Sequence, residues 1–157
     1  MKLFSIFLVF FSIMLGALGS SFCEARSPKT KVAQPTLCRS GNFKVQFLCY
    51  INEHRKQNGK TALSYDSSLT SVAFKHSAWM QGNGTMSHIG ENRTRFYERC
   101  QQSGTMCYAE NIAKGFTSAK HLFILWKESA GHNINMLGHY TEIGLGIAGA
   151  YATLILR

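Results

Sequence analysis

Trp126-Lys127-Glu128-Ser129-Ala130-Gly131-His132-Asn133-Ile134-Asn135-Met136-Leu137-Gly138-His139-Tyr140-Thr141-Glu142-Ile143-Gly144-Leu145-Gly146-Ile147-Ala148 is the stretch on which the fold turns. It reads as the end of a helix, a loop through Gly131 and His132, and a strand. The strand rests on Ile143, Leu145 and Ile147 alternating with Glu142, Gly144 and Gly146. His132 and His139 bracket the loop. Working outward, Tyr108 to Ala113 is a short apolar run with Glu110 inside it, and Ser87-His88 follows a glycine-rich turn. A fold that gathers these segments places two histidines and a glutamate in one cleft. Downstream, Gly149-Ala150 is a candidate tight turn and Tyr151 to Leu156 a second strand, which together close a hairpin.

Upstream, Phe43 to Asn58 reads as a helix, with Phe43, Phe47, Leu48, Ile51 and Arg55 near one face. Asn52 and Arg55 on that face are expected to bond to backbone elsewhere. Asp66 or Ser67 caps a second helix to about Gln81, whose buried stripe is Leu69, Val72, Ala73, His76 and Met80. His76 is expected to be a core histidine bonded to backbone. Asn92 to Cys100 reads as a short helix with Phe96 inward. Ser118 caps a third long helix with Ala119, Leu122, Phe123 and Trp126 inside. These elements amount to one α+β domain.

Residues 1–25 read as a secretory signal peptide: Lys2, an apolar Leu3–Leu18 run broken by Ser5, Ser12 and Gly16, then small residues. Cleavage after Ala25 is expected, with Gly19 as competitor. The run is short for a bilayer span of roughly 20 residues, so no transmembrane anchor is expected in the mature chain. Residues 26–40, with Pro28 and Pro35, read as a basic tail, and residues 41–157 as the domain. Cleavage removes Cys23 and leaves Cys38, Cys49, Cys100 and Cys107, an even set suited to an oxidising compartment. Four cysteines allow three pairings; Cys38–Cys49 and Cys100–Cys107 are favoured because each closes a short local loop. Asn83-Gly84-Thr85 and Asn92-Arg93-Thr94 are N-glycosylation sequons flanking His88. The net charge of +9 draws a secreted protein to anionic surfaces. No basic stripe interleaved with aromatics is present, so nucleic acid is not an expected partner.

Asn52-Glu53-His54-Arg55, Ser87-His88, Ala109-Glu110-Asn111-Ile112-Ala113 and His139-Tyr140-Thr141-Glu142 fall in an order that resembles the CAP superfamily of cysteine-rich secretory, antigen 5 and pathogenesis-related proteins. Ser129-Ala130-Gly131-His132-Asn133-Ile134-Asn135 is similar to a turn of its compact microbial members. The resemblance runs from about Phe43 to the end. It implies a three-layer α-β-α sandwich and a cleft formed by His88, Glu110, His139 and Glu128. Larger members carry a glutamate three residues after the tryptophan. Here Ser129 holds that place, and Glu128 lies one residue away, about 100° around a helix, which weakens its membership.

The resemblance implies a secreted, extracellular, non-enzymatic protein that binds a lipid, a sterol or another extracellular ligand, in a defence or host and environment role. The alternative is a metal-dependent hydrolase with zinc or another divalent cation on His88 and His139, and Glu110 orienting water or an imidazole. A serine hydrolase using Ser87 or Ser129 is the weakest reading, because neither lies in a Gly-x-Ser-x-Gly elbow. His132 is expected to cap a helix or bond backbone rather than hold metal.

Overall fold

Two small residues determine how this fold is layered. In the computed structural model, which describes residues 36–157, the strand read above spans Glu142–Ala148 (β3). A Cβ on Gly144 or Gly146 would overlap the backbone at Leu69-Thr70 or Ala73-Phe74. These positions belong to the helix Ser67–Gly82 (α2), which lies directly on β3. The glycine face is therefore as buried as the Ile143 and Leu145 face, and glycine is there for close backbone approach.

β3 turns at Gly149, whose φ is +53°, into Tyr151–Leu156 (β4), which is buried along its whole length. Ala109–Lys114 (β2) pairs antiparallel with the far side of β4, and the short Ser64–Tyr65 (β1) pairs parallel with β3. The sheet order is β1-β3-β4-β2, so β2 is an edge strand.

One face of the sheet packs Ile155 against Leu69, Val72 and Ala73 of α2, and Ile112 and Tyr151 against Met80. The other face carries Ile143, Leu145, Leu154 and Leu156. These meet Phe47 and Ile51 of Phe43–Gln57 (α1), and Leu122 and Trp126 of the later helix Ala119–Glu128. The fold is the expected α+β sandwich of three layers. The short Phe96–Gln102 helix (α3) lies beside α2 and β2, and Ala119–Glu128 is α4 in chain order.

The caps follow from the sequence. Asn42, Asp66 and Ser118 each accept a backbone N–H three residues on, satisfying a first-turn donor. Asn52 exchanges two hydrogen bonds with the backbone of Leu63. The buried Arg55 donates to the carbonyls of Thr61, Met136, Gly138 and Tyr140 at 2.7–3.0 Å, so α1 holds the chain that enters β3.

Two expectations change. The Gly131-His132 loop is a helix, Ala130–Met136 (α5). Its asparagines find tertiary partners: Asn133 meets His54 at 2.8 Å, and Asn135 meets Asn111 at 2.8 Å. Those bonds outweigh poor local helix propensity. The folded part also begins before residue 41: Thr36–Arg39 form a 3₁₀ turn whose Cys38 is buried and bonded to Cys49. The second disulfide is Cys100–Cys107. Both pairings are the local ones, and each is worth about 2–4 kcal/mol. The signal peptide, and the tail up to residue 35, lie outside the described residues.

Candidate functional site

A glutamate in an apolar edge strand needs partners, because an unpaired buried carboxylate is expensive. Alternation along β2 points Glu110 toward α2 and α3, and Asn111 toward α5. The Glu110 side chain is 1% exposed. The His88 Nδ1–H donates to its Oε1 at 2.8 Å, and the Arg99 guanidinium donates to its Oε2. His76 Nε2 stands 4.0 Å from the same oxygen and donates to the Ser87 carbonyl at 2.9 Å, the backbone bond expected of a core histidine. Asn111 donates to the His132 carbonyl and accepts from Asn135, which seats α5 against the sheet edge.

The carboxylate fixes the imidazole tautomer. It accepts only, so Nδ1 of His88 carries a hydrogen, and in the neutral ring the lone pair is on Nε2, on a side chain 54% exposed. This half-buried ring lines a cleft of about 420 Å³ with Ile89, Arg95, Phe96, Tyr108, Ala109, Glu110 and Asn135. Ile89 and Tyr108, 41% and 57% exposed, form an apolar lip. His88 and Arg95 are the exposed polar residues of that lining.

The structure brings His88 and Glu110 together. His139 is exposed on the turn before β3, and Glu128 is exposed at the end of α4; neither side chain makes a hydrogen bond or ion pair among the described residues. Glu128 thus lies where its one-residue offset leads. No group of three or more His, Cys, Asp or Glu side chains among the described residues is placed to hold a metal ion. Ser87 Oγ accepts from the Ile89 N–H rather than facing a histidine, and Ser129 makes no side-chain cap bond. Asn83 and Asn92 are both exposed. His132 is close enough to His88 for the two charges to interact.

Sequence reasoning missed Arg99, Asn111 and Asn135. Arg99 carried a signal: it directly precedes Cys100, and the Cys100–Cys107 bridge draws α3 up to the start of β2. A residue beside one cysteine and one three past the other are thereby set face to face.

Burial, opposed by the Glu110 carboxylate and reinforced by the Arg99 charge, holds the His76 pKa below its ordinary 6.5, and burial followed by the His88 charge does the same to His132. The unfolded chain then takes up protons that the folded chain refuses. The stability contributed is full above 6.5 and is lost as pH falls from there toward the lowered folded values. Urea midpoints measured from about pH 8 to about pH 5 should decline, and His76→Gln should flatten the decline. A midpoint that rises on acidification contradicts this.

An α+β three-layer sandwich with a histidine–glutamate cleft at the sheet edge defines the class. The chain belongs to the cysteine-rich secretory protein family (CAP), whose family profile matches residues 48–154. It is similar to YlbC of Bacillus subtilis (strain 168), named as an uncharacterized membrane protein, at 29% identity over 111 residues, 69% of this chain and 32% of that protein. Among solved structures it resembles an extracellular SCP-domain protein of Bacillus anthracis str. Ames, with TM-score 0.67 and 25% identity, covering 71% of this chain and 38% of that one. An outer surface protein of Borrelia burgdorferi shares the fold, with TM-score 0.63 and 20% identity, covering 73% of this chain and 90% of that one. The chain therefore spans about a third of YlbC and under two-fifths of the Bacillus anthracis protein.

Proposed function

We propose that the chain is a secreted, non-enzymatic binding protein that holds a lipid, a fatty acid or a sterol, in the cleft beside His88. The observation that carries this reading is the joining of an apolar cleft of about 420 Å³ to a fixed imidazole. That volume is within the range of small-molecule sites, which pair mostly apolar walls with a few placed polar groups. The apolar body lies against Ile89, Phe96 and Tyr108. The hydroxyl or carboxylate end meets His88 Nε2, with Arg95 as the second polar contact. Secretion is supported by the two disulfides and by the extracellular Bacillus anthracis relative; the name of YlbC points the other way. Native mass spectrometry of protein recovered from the medium, with lipid extraction, tests the reading. It should show a start near Arg26, two disulfides and a co-purifying lipid. Full-length protein kept in the membrane, or a mature protein that yields no lipid, contradicts it.

One observation favours the metal reading as a second: a carboxylate on the far nitrogen of an imidazole is how metal-bound histidines are commonly oriented. The ion proposed is zinc on His88 and His139, with Glu110 behind His88, and the chemistry it would supply is activation of a bound water for hydrolysis. Zinc calorimetry on wild type, His88→Ala, His139→Ala and His132→Ala decides it. His88→Ala and His139→Ala should each weaken binding at least about tenfold. Unchanged affinity in both removes the site, and loss in His132→Ala rather than His139→Ala moves the second ligand to α5. Ligand imidazoles must be neutral, so binding should weaken on acidification.

A further inference from the structure

Nine large apolar side chains are exposed among the described residues, and four of them belong to the cleft lip or to the segments that carry it. Ile89 and Tyr108 are the lip itself. Tyr97, in α3, meets Phe96 of the lining edge-on, with ring centroids 5.6 Å apart. Met106 is 63% exposed and lies two residues before Tyr108, with the buried Cys107 between them. That alternation turns Met106 and Tyr108 to the same side of an extended segment. The segment is held against α3: Cys107 is bonded to Cys100, and its Sγ lies 3.6 Å from the Phe96 carbonyl. Exposed apolar side chains gathered in one place mark an interaction surface, unlike the same residues scattered singly.

The side-chain types and the charge indicate the partner. Tyrosine, with an apolar body and a polar tip, suits the boundary between lipid headgroups and acyl chains. The chain carries a net charge of +9. Arg95 lines the cleft, and Arg93 precedes it by two residues; both are exposed, and neither forms an ion pair among the described residues. Of the carboxylates nearest in the chain, Glu98 is turned back onto the Arg95 N–H at 2.6 Å, and Glu91 is exposed. A bilayer with acidic headgroups accommodates the apolar tips and attracts the cations together. We propose that the lip is a docking surface for an anionic lipid bilayer, with Ile89, Tyr97, Met106 and Tyr108 entering the interface and Arg93 and Arg95 meeting lipid phosphates. Docking does not require the cleft to be filled, so it goes beyond the ligand proposed above and is tested apart from it.

The test is co-sedimentation of the full secreted chain with vesicles of phosphatidylcholine containing about a third phosphatidylserine, against vesicles of phosphatidylcholine alone. Binding to the mixed vesicles should be at least about tenfold the tighter. Charge alone would give some of that preference, so two matched substitutions locate the contact. Met106→Asp should weaken binding to the mixed vesicles about tenfold, since an inserted apolar side chain becomes a repelled charge. Val45→Asp makes the same change at an exposed apolar residue of α1, across the sheet from α3, and should leave vesicle binding within about twofold of wild type. Met106 lies outside the cleft lining, so Met106→Asp should also leave a fatty-acid titration and the circular dichroism unchanged. A failed fatty-acid titration in wild type therefore counts against the cleft ligand and not against docking. Absence of binding to the mixed vesicles, equal binding to both vesicle types, or equal losses in Met106→Asp and Val45→Asp overturns the docking surface.

Discussion

Gly144→Ala and Gly146→Ala are each expected to cost at least about 3 kcal/mol, at or above the upper end of ordinary overpacking, and together to leave the chain unfolded. Most overpacked methyl groups press on side chains that can change rotamer. Here a Cβ meets main-chain atoms, Leu69 and Thr70 in one case and Ala73 and Phe74 in the other. Relief requires α2 to lift from β3. That would break the Ser77 bonds to the Gly146 carbonyl at 3.0 Å and to Thr153 at 2.8 Å, and open the packing of Leu69 and Ala73 on the sheet. Total stabilities of single domains are about 5–15 kcal/mol, so the double substitution consumes most of the margin. Urea denaturation followed by circular dichroism measures it, and a change within about 1 kcal/mol in either single variant would show that α2 does not lie where the fold places it.

Glu110→Ala is expected to be the most destabilising change at the site, by about 3–5 kcal/mol, the usual result of removing one partner from a buried ion pair. The loss arises from what stays behind. Arg99, 10% exposed at its side chain, keeps a charge with no carboxylate, and His88 loses the bond that fixes its ring. A paired substitution separates this from general damage. Replacing both members of a buried pair by apolar groups is often neutral, so Glu110→Leu with Arg99→Met should recover most of the stability lost by Glu110→Leu alone. Chemical denaturation of the two singles and the double forms the cycle. A double variant no more stable than the sum of its singles would mean that Glu110 and Arg99 act independently. His88 should stay folded but lose orientation in every Glu110 variant, so ligand binding should fall further than stability alone explains.

These two sites also show where sequence stops speaking. The helices α1, α2 and α4 and the hairpin strands were legible because their apolar periods repeat and their caps are the preferred residues. The alternation located β3 but did not show that Gly144 and Gly146 mark a close helix contact. The helix α5 was read as a loop because Gly131, Asn133 and Asn135 favour loops locally. Its partners, His54, Asn111 and the Glu110 carbonyl, lie distant in the chain. At the site, a glutamate among apolar residues announced itself, since burial demands partners. Its strongest partner did not, because Arg99 on a short polar helix looks like any surface charge until the Cys100–Cys107 bridge is placed. His139 stood out by motif, yet its turn leaves it exposed.

Lipid binding in the cleft beside His88 is measured by titrating labelled fatty acid and sterol against substituted proteins. Ile89→Asp and Tyr108→Ala alter the exposed lip without touching the core. Saturable binding to wild type is expected, weakened at least about tenfold by Ile89→Asp, since an apolar contact becomes a desolvated charge, with the thermal midpoint unchanged. Binding of equal strength to wild type and both variants, or no saturable binding to wild type, would contradict it.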